Sequence, residues 1–228
     1  ETLTSALHGI DKLLLISANE IGRRTAQHRA VIEAAKQANI PYIAYTSLLH
    51  AETSPIGLAA EHRETEQLIR ESGINYTVLR NNWYTENYTA SAAQAVQQGI
   101  LYGAAADAKI SSATRDDYAE AAAAVLTLDI APKQIYELSG SHAYTLADLA
   151  KTIAQVSGQP VTYQNLAATD YHTALINAGL AAPLVDVIVD ADRQAQQGAL
   201  YSDSKDLEYL LGRPTTSLED AVRTALLT

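Results

Sequence analysis

The sequence predicts an α/β fold built on a doubly wound parallel sheet, with a smaller and mostly helical domain toward the C-terminal end. Three observations carry this expectation. Leu13 to Ile16 and Tyr42 to Ser47 are short runs with almost no break in apolar character, the pattern of strands buried on both faces of a parallel sheet. A longer segment follows each run, with residues of one face recurring at spacings of three and four, which marks a helix. The order strand, helix, strand, helix, strand makes two consecutive crossover units, and right-handed connections stack such units into one sheet.

Taken in order, Lys12 to Ser17 is the first expected strand, and Thr25 to Ala38 a helix with its stripe at Gln27, Val31, Ala34, Ala35 and Ala38. Asn39-Ile40-Pro41 stops that helix, and Tyr42 to Ser47 is the second strand. Ser54-Pro55 offers an N-cap with proline at the first helical position, so the next helix is expected to run from there to Ser72, with Gly73 as its stop. Its Leu58, His62, Thr65 and Ile69 share one face, and the third strand ends at Arg80. After Tyr88 come a helical stretch to Gln98, a short strand at Ile100 to Tyr102, an alanine-rich helix from Asp116 to Leu128 and a strand from Gln134 to Leu138. Ser139-Gly140-Ser141 reads as a turn. Beyond it lie an amphipathic helix, Leu146 to Val156, ended by Gly158, a strand from Val161 to Asn165, and helices near Thr169 to Asn177, Pro183 to Ala195 and after Thr216. Regular alternation lapses near residue 141, so two domains are expected, residues 1–140 and 141–228.

Composition narrows the function classes. With 228 residues, 47% hydrophobic and 18% charged, the chain has the balance of a folded globular protein. Its net charge of −10, uninterrupted by any Lys/Arg cluster, repels polyanions, so neither nucleic acid nor an anionic membrane surface is expected as a partner. No apolar run approaches the roughly 18 to 20 residues of a spanning helix, and no export leader is visible. Zero cysteines exclude disulfides and thiolate chemistry, and the expected location is cytoplasmic. No metal spacing exists: His8, His28, His142 and His172 are isolated, and H-E-x-x-H is absent.

The segment richest in chemistry is Tyr76 to Tyr88, where a strand of β-formers runs into Asn81-Asn82-Trp83-Tyr84-Thr85-Glu86-Asn87. Ligands of parallel sheets sit at the carboxyl ends of strands, so amides and aromatic rings there suit a binding site as well as a capped loop. A dinucleotide fold also needs a glycine-rich turn before its first helix, and neither G-x-G-x-x-G nor a Walker loop can be drawn on these eleven scattered glycines. Either the protein binds no nucleotide or the phosphate-binding end lies upstream of Glu1.

Four segments favour the second option: Leu13-Leu14-Leu15-Ile16-Ser17, the run Tyr42 to His50, Glu61-His62-Arg63-Glu64-Thr65-Glu66, and Leu79 to Tyr88. Together with Gly212-Arg213-Pro214-Thr215-Thr216, they resemble the NmrA-like branch of the atypical short-chain dehydrogenases, and within it the NADPH-dependent quinone-reducing members. The resemblance covers essentially the whole chain. It implies a Rossmann-like domain that is N-terminally incomplete, since family members carry a Gly-rich turn and two further strand-helix units ahead of Lys12.

It also implies NADPH as cofactor and a small-molecule quinone as substrate. The nicotinamide side would be supplied by Ser17, Ala18 and Asn19, by Thr46 and Ser47, and by Asn81, Asn82, Trp83, Tyr84 and Glu86. On the substrate side, His50, Trp83 and Tyr84 are candidates, Trp83 or Tyr84 stacking on a flat ring. The Tyr-x-x-x-Lys pair of short-chain dehydrogenases has no counterpart at the matching helix, where His62 stands four residues before Glu66. Tyr201 and Lys205 match the pattern, but with a helix cap between them they read as a decoy.

Loss of that strong acid suits quinones. Hydride addition to a quinone leaves a phenolate-type anion with an acidity near that of tyrosine, pKa about 10, so a few hydrogen-bond donors suffice. Asn81 and His62 are the candidate catalytic residues. His62 as a core histidine, Trp83 as an interdomain plug, His50 as a loop residue, and Glu61, Glu64 and Glu66 as a solvated helix face are the plain structural alternatives. Two other functions stay open: a redox-sensing regulator that binds dinucleotide without turnover, and an inactive fragment without its phosphate-binding loop.

Overall fold

The computed structural model describes residues 2–127 and 132–227. Its first half contains α1 (Thr2–Ala6), β1 (Leu13–Leu15), α2 (Arg24–Gln37), β2 (Tyr42–Leu48), α3 (Ala59–Glu71), β3 (Asn75–Asn81), α4 (Glu86–Thr89), α5 (Ala92–Gln98), β4 (Ile100–Gly103) and α6 (Arg115–Thr127). There follow β5 (Ile135–Leu138), α7 (Leu146–Ser157), β6 (Thr162–Asn165), α8 (Ala168–Asn177), α9 (Ala182–Ala195), α10 (Asp206–Leu211) and α11 (Leu218–Leu227). Leu128, the expected last residue of the alanine-rich helix, lies outside the described residues.

The main sheet is parallel throughout, in the order β1-β2-β3-β5. Alternation along each strand divides its side chains between two cores. Ile43, Tyr45 and Val78 pack with Ile32, Ala35 and Ile69 of α2 and α3, whereas Ala44 and Leu79 pack with Tyr118, Ala121 and Val125 of α6. Helices therefore cover both faces, which is why the strands carry no solvent side in the sequence. Gly140 follows β5 where the chain passes Ser112 so closely that a Cβ would lie 2.0 Å from that residue's carbonyl oxygen, and only glycine fits there.

A second parallel pair, β4 with β6, is wrapped by α5, α7, α9 and α11 around Leu101, Leu146, Leu149, Ile153 and Val222. The α7 helix starts on a capping box formed by Thr145 and Asp148 and ends at Gly158 in the left-handed conformation. The chain passes between the two sheets more than once: β4 precedes residue 140 yet pairs with β6, and α10 returns to pack on α6 and β5.

Four differences from the sequence reading have physical causes. The α2 face turned inward is Arg24, His28, Ile32 and Ala35 rather than the stripe through Gln27 and Val31, because that face is built partly from buried polar groups. The α3 helix begins at Ala59, not at Pro55, since Ser54 closes a local turn by accepting from the Ile56 amide at 3.4 Å. Glu66 is no part of a solvated face: it is 1% exposed and bound to Arg80. β1 stops at Leu15, and the Ser17 amide bonds to the Thr46 hydroxyl instead of continuing the ladder.

Many of the tyrosines are explained by their hydroxyls. Tyr45 meets His62, Tyr88 donates to Asp192 at 2.9 Å, Tyr144 pairs with Ser112 at 2.6 Å, and Tyr136 accepts from the Lys133 amide at 3.1 Å. Phenylalanine at these positions would take one hydrogen bond from each partner, although Ser112 would keep Thr85 and Asp192 the Ala104 amide.

Candidate active site

The register Leu15 to Tyr45, Ser47 to Arg80 and Asn81 to Leu138 brings the carboxyl ends of β1, β2, β3 and β5 to one edge. Ser17, Thr46 and Asn81 therefore leave the sheet on the same side, and the 2.9 Å bond from the Ser17 amide to Thr46 Oγ1 ties two of the tips together. Ser47 points to the opposite face from Thr46, as neighbours on a strand must. Its hydroxyl donates to Glu66 Oε1 at 2.6 Å and so faces the interior under α3.

That interior holds a buried charge network. Arg80 donates through Nε and Nη2 to the two oxygens of Glu66 at 3.0 and 2.7 Å, through Nη1 to Glu137 at 2.8 Å, and through Nη2 to Glu52 at 3.1 Å. Burial disfavours the guanidinium charge, yet the bonds to Glu66 and Glu137 outweigh it and hold its pKa above the ordinary arginine value. Glu137 also accepts from the His50 amide at 2.9 Å, where His50 adopts a left-handed φ of 51°. The His50 ring is part-exposed, 3.7 Å from the same carboxylate.

The segment after β3 divides its residues among distinct tasks. Asn81 is buried, and its Oδ1 meets no donor among the described residues. Such an atom costs about 1–3 kcal/mol and calls for a reason, of which a ligand is one. Asn82 is satisfied: its Nδ2 donates to the carbonyls of Ser111 and Leu200 at 2.9 and 3.0 Å, and its Oδ1 accepts from the Trp83 amide at 2.7 Å. Trp83 is buried in the core around β4 and β6. Tyr84 lies against Tyr118 and under the Arg115 guanidinium, 4.9 Å from its ring centre. Glu86 caps α6 by accepting from the Arg115 amide at 2.8 Å, a favourable place for a carboxylate.

A cavity of about 600 Å³ lies beside this segment, lined among others by Trp83, Glu86, Arg115, Leu184, Val187 and Ala221. Ser17, Thr46 and Asn81 are not among its lining residues, so this cavity and the strand tips are separate features on either side of the 83–86 segment. Each has a buried polar atom without a hydrogen-bond partner among the described residues: Asn81 Oδ1 at the strand tips and Glu86 Oε2 at the cavity.

Behind the β1 tip, α2 and α3 enclose a second polar cluster; the sequence placed His62 and Thr65 on one face of α3 but gave Arg24 and His28 no part in it. His28 Nε2 accepts from the Ala18 amide at 3.0 Å, so its proton sits on Nδ1, 2.9 Å from Thr65 Oγ1, which in turn donates to the Glu61 carbonyl. His62 Nε2 faces Arg24 Nη1 at 3.3 Å and its Nδ1 faces the Tyr45 hydroxyl at 2.8 Å. The two rings are neutral: burial, helped by the Arg24 charge, lowers His28 to about 4 and His62 to about 3. At neutral pH His62 therefore holds no proton to give beyond its one fixed N–H. The signal that could have exposed the cluster is the spacing Arg24 to His28 and His62 to Thr65, polar pairs one turn apart where an apolar stripe was sought.

These histidines make stability depend on pH. Both folded values lie below the unfolded value near 6.5, so the stabilisation is present above pH 6.5 and is lost as pH falls toward 4 and 3. At pH 5 each ring should cost about 2 kcal/mol relative to pH 8. Urea unfolding at the two pH values should show it, and the His62→Gln variant should lose about 2 kcal/mol less between them.

Residues 1–129 match the family model described as NAD(P)H-binding. The chain is 54% identical to quinone oxidoreductase 2 of Escherichia coli K12 over 220 residues, 96% of this chain and 77% of the relative. It belongs to the NmrA-like NAD(P)H-binding family. Among solved structures of this family's fold, the NADPH-dependent quinone oxidoreductase of Escherichia coli in complex with NADPH superposes with a TM-score of 0.94 at 53% identity, over 99% of this chain and 80% of that one. The triphenylmethane reductase of Citrobacter sp. complexed with NADP(H) gives 0.94 at 33% identity, over 99% and 80%. As an NmrA-like protein, the chain has the parallel sheet flanked by helices that its sequence predicted.

Lys205, the partner of Tyr201 in the decoy pattern, pairs with Glu208 at 2.9 Å. Among the described residues no helix is long and apolar enough to cross a membrane.

Proposed function

We propose that the chain is an NADPH-dependent quinone reductase, in which hydride passes directly between nicotinamide and quinone at the tips of β1, β2 and β3. The observation that carries the reading is its likeness, over nearly all its length, to a quinone oxidoreductase. The geometry agrees with it in one specific respect: the unpartnered Asn81 oxygen is an acceptor of the kind a carboxamide N–H₂ requires. Residues 1–140 would form the cofactor side and 141–228 the substrate side.

When bound, reduced nicotinamide supplies two electrons and one hydrogen as hydride; with one proton the quinone becomes hydroquinone and the cofactor NADP⁺. The chain's own residues have less to do than in ketone reduction. Ser17 and Thr46 hold the strand tips together. Asn81 orients the reacting rings, and its amide hydrogens stabilise the oxygen that gains charge. An anion of acidity near pKa about 10 takes its proton from water without a strong acid, which suits a site behind which His28 and His62 are buried and neutral.

The test mixes the 228-residue chain with NADPH and 1,4-benzoquinone and follows reduced-nicotinamide absorbance. Loss of absorbance that requires both protein and quinone is expected. Tight NADPH binding without turnover would make the chain a regulator-type binder, and neither binding nor turnover would refute the reductase reading for this chain.

A further inference from the structure

The loop between β1 and α2 is held almost entirely from outside the sheet. β1 stops at Leu15, Ile16 is two-thirds exposed, and the next backbone bond, from Ser17, goes to a side chain. Ala18 is then gripped at both of its polar groups: its N–H donates to His28 Nε2 at 3.0 Å, and its carbonyl accepts from Arg24 Nε at 2.6 Å. Both grips come from one helix, one turn apart, and both side chains are buried.

Arg24 stands in the first turn of α2, where a cation opposes the helix dipole. A buried arginine in that place needs a compensating role, and its partners supply one: the Ala18 carbonyl, His62 Nε2 at 3.3 Å and Glu61 Oε2 at 3.9 Å. Glu61 in turn accepts from the Gly22 amide at 3.0 Å, so the far end of the same loop hangs from α3. His28 is fixed from behind by Thr65, which sets the tautomer that leaves Nε2 free to accept.

We propose that Arg24 and His28 are positioning residues that hold the Ser17–Asn19 loop in the shape required by the cofactor, by clasping both backbone groups of Ala18. The inference rests on the reading above that this loop lies on the nicotinamide side. Neither residue touches the reacting atoms; each acts through the peptide it holds.

The experiment compares wild type with His28→Phe, which fills the space without an acceptor, and His28→Gln, whose Oε1 can accept in place of Nε2. Hydrogen exchange is read on a peptide spanning Leu15 to Arg23, and NADPH affinity by nicotinamide fluorescence. His28→Phe should speed exchange in that peptide and raise the NADPH Kd about tenfold while kcat falls less, and His28→Gln should stay within about threefold of wild type. Nitrogen-15 shifts of His28 in wild type should show Nδ1 protonated and Nε2 bare, a readout that holds even if His28→Phe fails to fold. The idea is overturned if His28 carries its proton on Nε2, if His28→Phe leaves exchange unchanged, or if His28→Gln is as impaired as His28→Phe. Should wild type bind no NADPH, the cofactor reading fails, while the exchange and tautomer results still decide the clasp.

Discussion

Replacing Arg80 with alanine is expected to cost about 3–5 kcal/mol of folding free energy, a large part of the 5–15 kcal/mol typical of a domain. Arg80 is a buried cation shared by three carboxylates, of which Glu52 is exposed and Glu66, 1% exposed, has both oxygens on it. Without the guanidinium, Glu66 would keep the Ser47 hydroxyl and a part-exposed Arg70 at 3.8 Å, too little to replace a bidentate partner. The loss would spread, because Glu137 also holds the His50 amide and Glu52 lies in the loop beyond it, so the β2 tip would loosen with the network. Arg80→Met combined with Glu66→Leu should recover most of the stability, since burying neither charge is often as favourable as burying both. Urea unfolding reads the outcome directly. A single variant within 1 kcal/mol of wild type, or a double variant no better than Arg80→Met alone, would show that the network contributes little.

The same network shows what could be read in the sequence and what could not. Strands, helices and their order were legible because they rest on local pattern: apolar runs at Leu13 and Tyr42, a helix stop at Asn39-Ile40-Pro41, another at Gly158. That the tips of β1, β2 and β3 reach one edge was legible too, since parallel strands deliver their ends together, but of the pair Thr46 and Ser47 only Thr46 has its side chain on the face of Asn81. Direction along a strand was less so. Thr46 and Ser47 read as a pair, but one meets the Ser17 amide and the other Glu66 across the sheet. Long-range pairing was not legible at all: nothing near Glu66 announces Arg80, fourteen residues on, and nothing near Asn82 announces the Leu200 carbonyl. An arginine inside a strand, directly after a run such as Thr77-Val78-Leu79, is nevertheless a clue that a buried carboxylate waits, just as Arg24 and His28 are within the inward face of α2.

Asn81→Ala is expected to lower kcat about 100-fold while raising the NADPH Kd by less, about tenfold at most through loss of the oxygen that meets the carboxamide. The asymmetry follows from the charge on the quinone oxygen. In the ground state that oxygen is a weak acceptor, and a hydrogen bond to it contributes little; as hydride arrives it becomes an oxyanion, and the same bond strengthens. A contact realised only in the transition state appears in kcat, and one made equally to bound cofactor appears in affinity. Stability should move the other way from activity. Truncating the side chain removes the Oδ1 atom that meets no donor among the described residues, so Asn81→Ala should melt no lower than wild type, as befits a group retained for a ligand at some expense to the fold. Asn81→Asp should be at least as inactive as alanine, because it keeps the shape but replaces the donor by an acceptor that faces developing negative charge. Equal losses in kcat and affinity, or a variant that is inactive only because it is unfolded, would remove Asn81 from the role given to it and leave the strand tips as a binding surface without a reaction of their own.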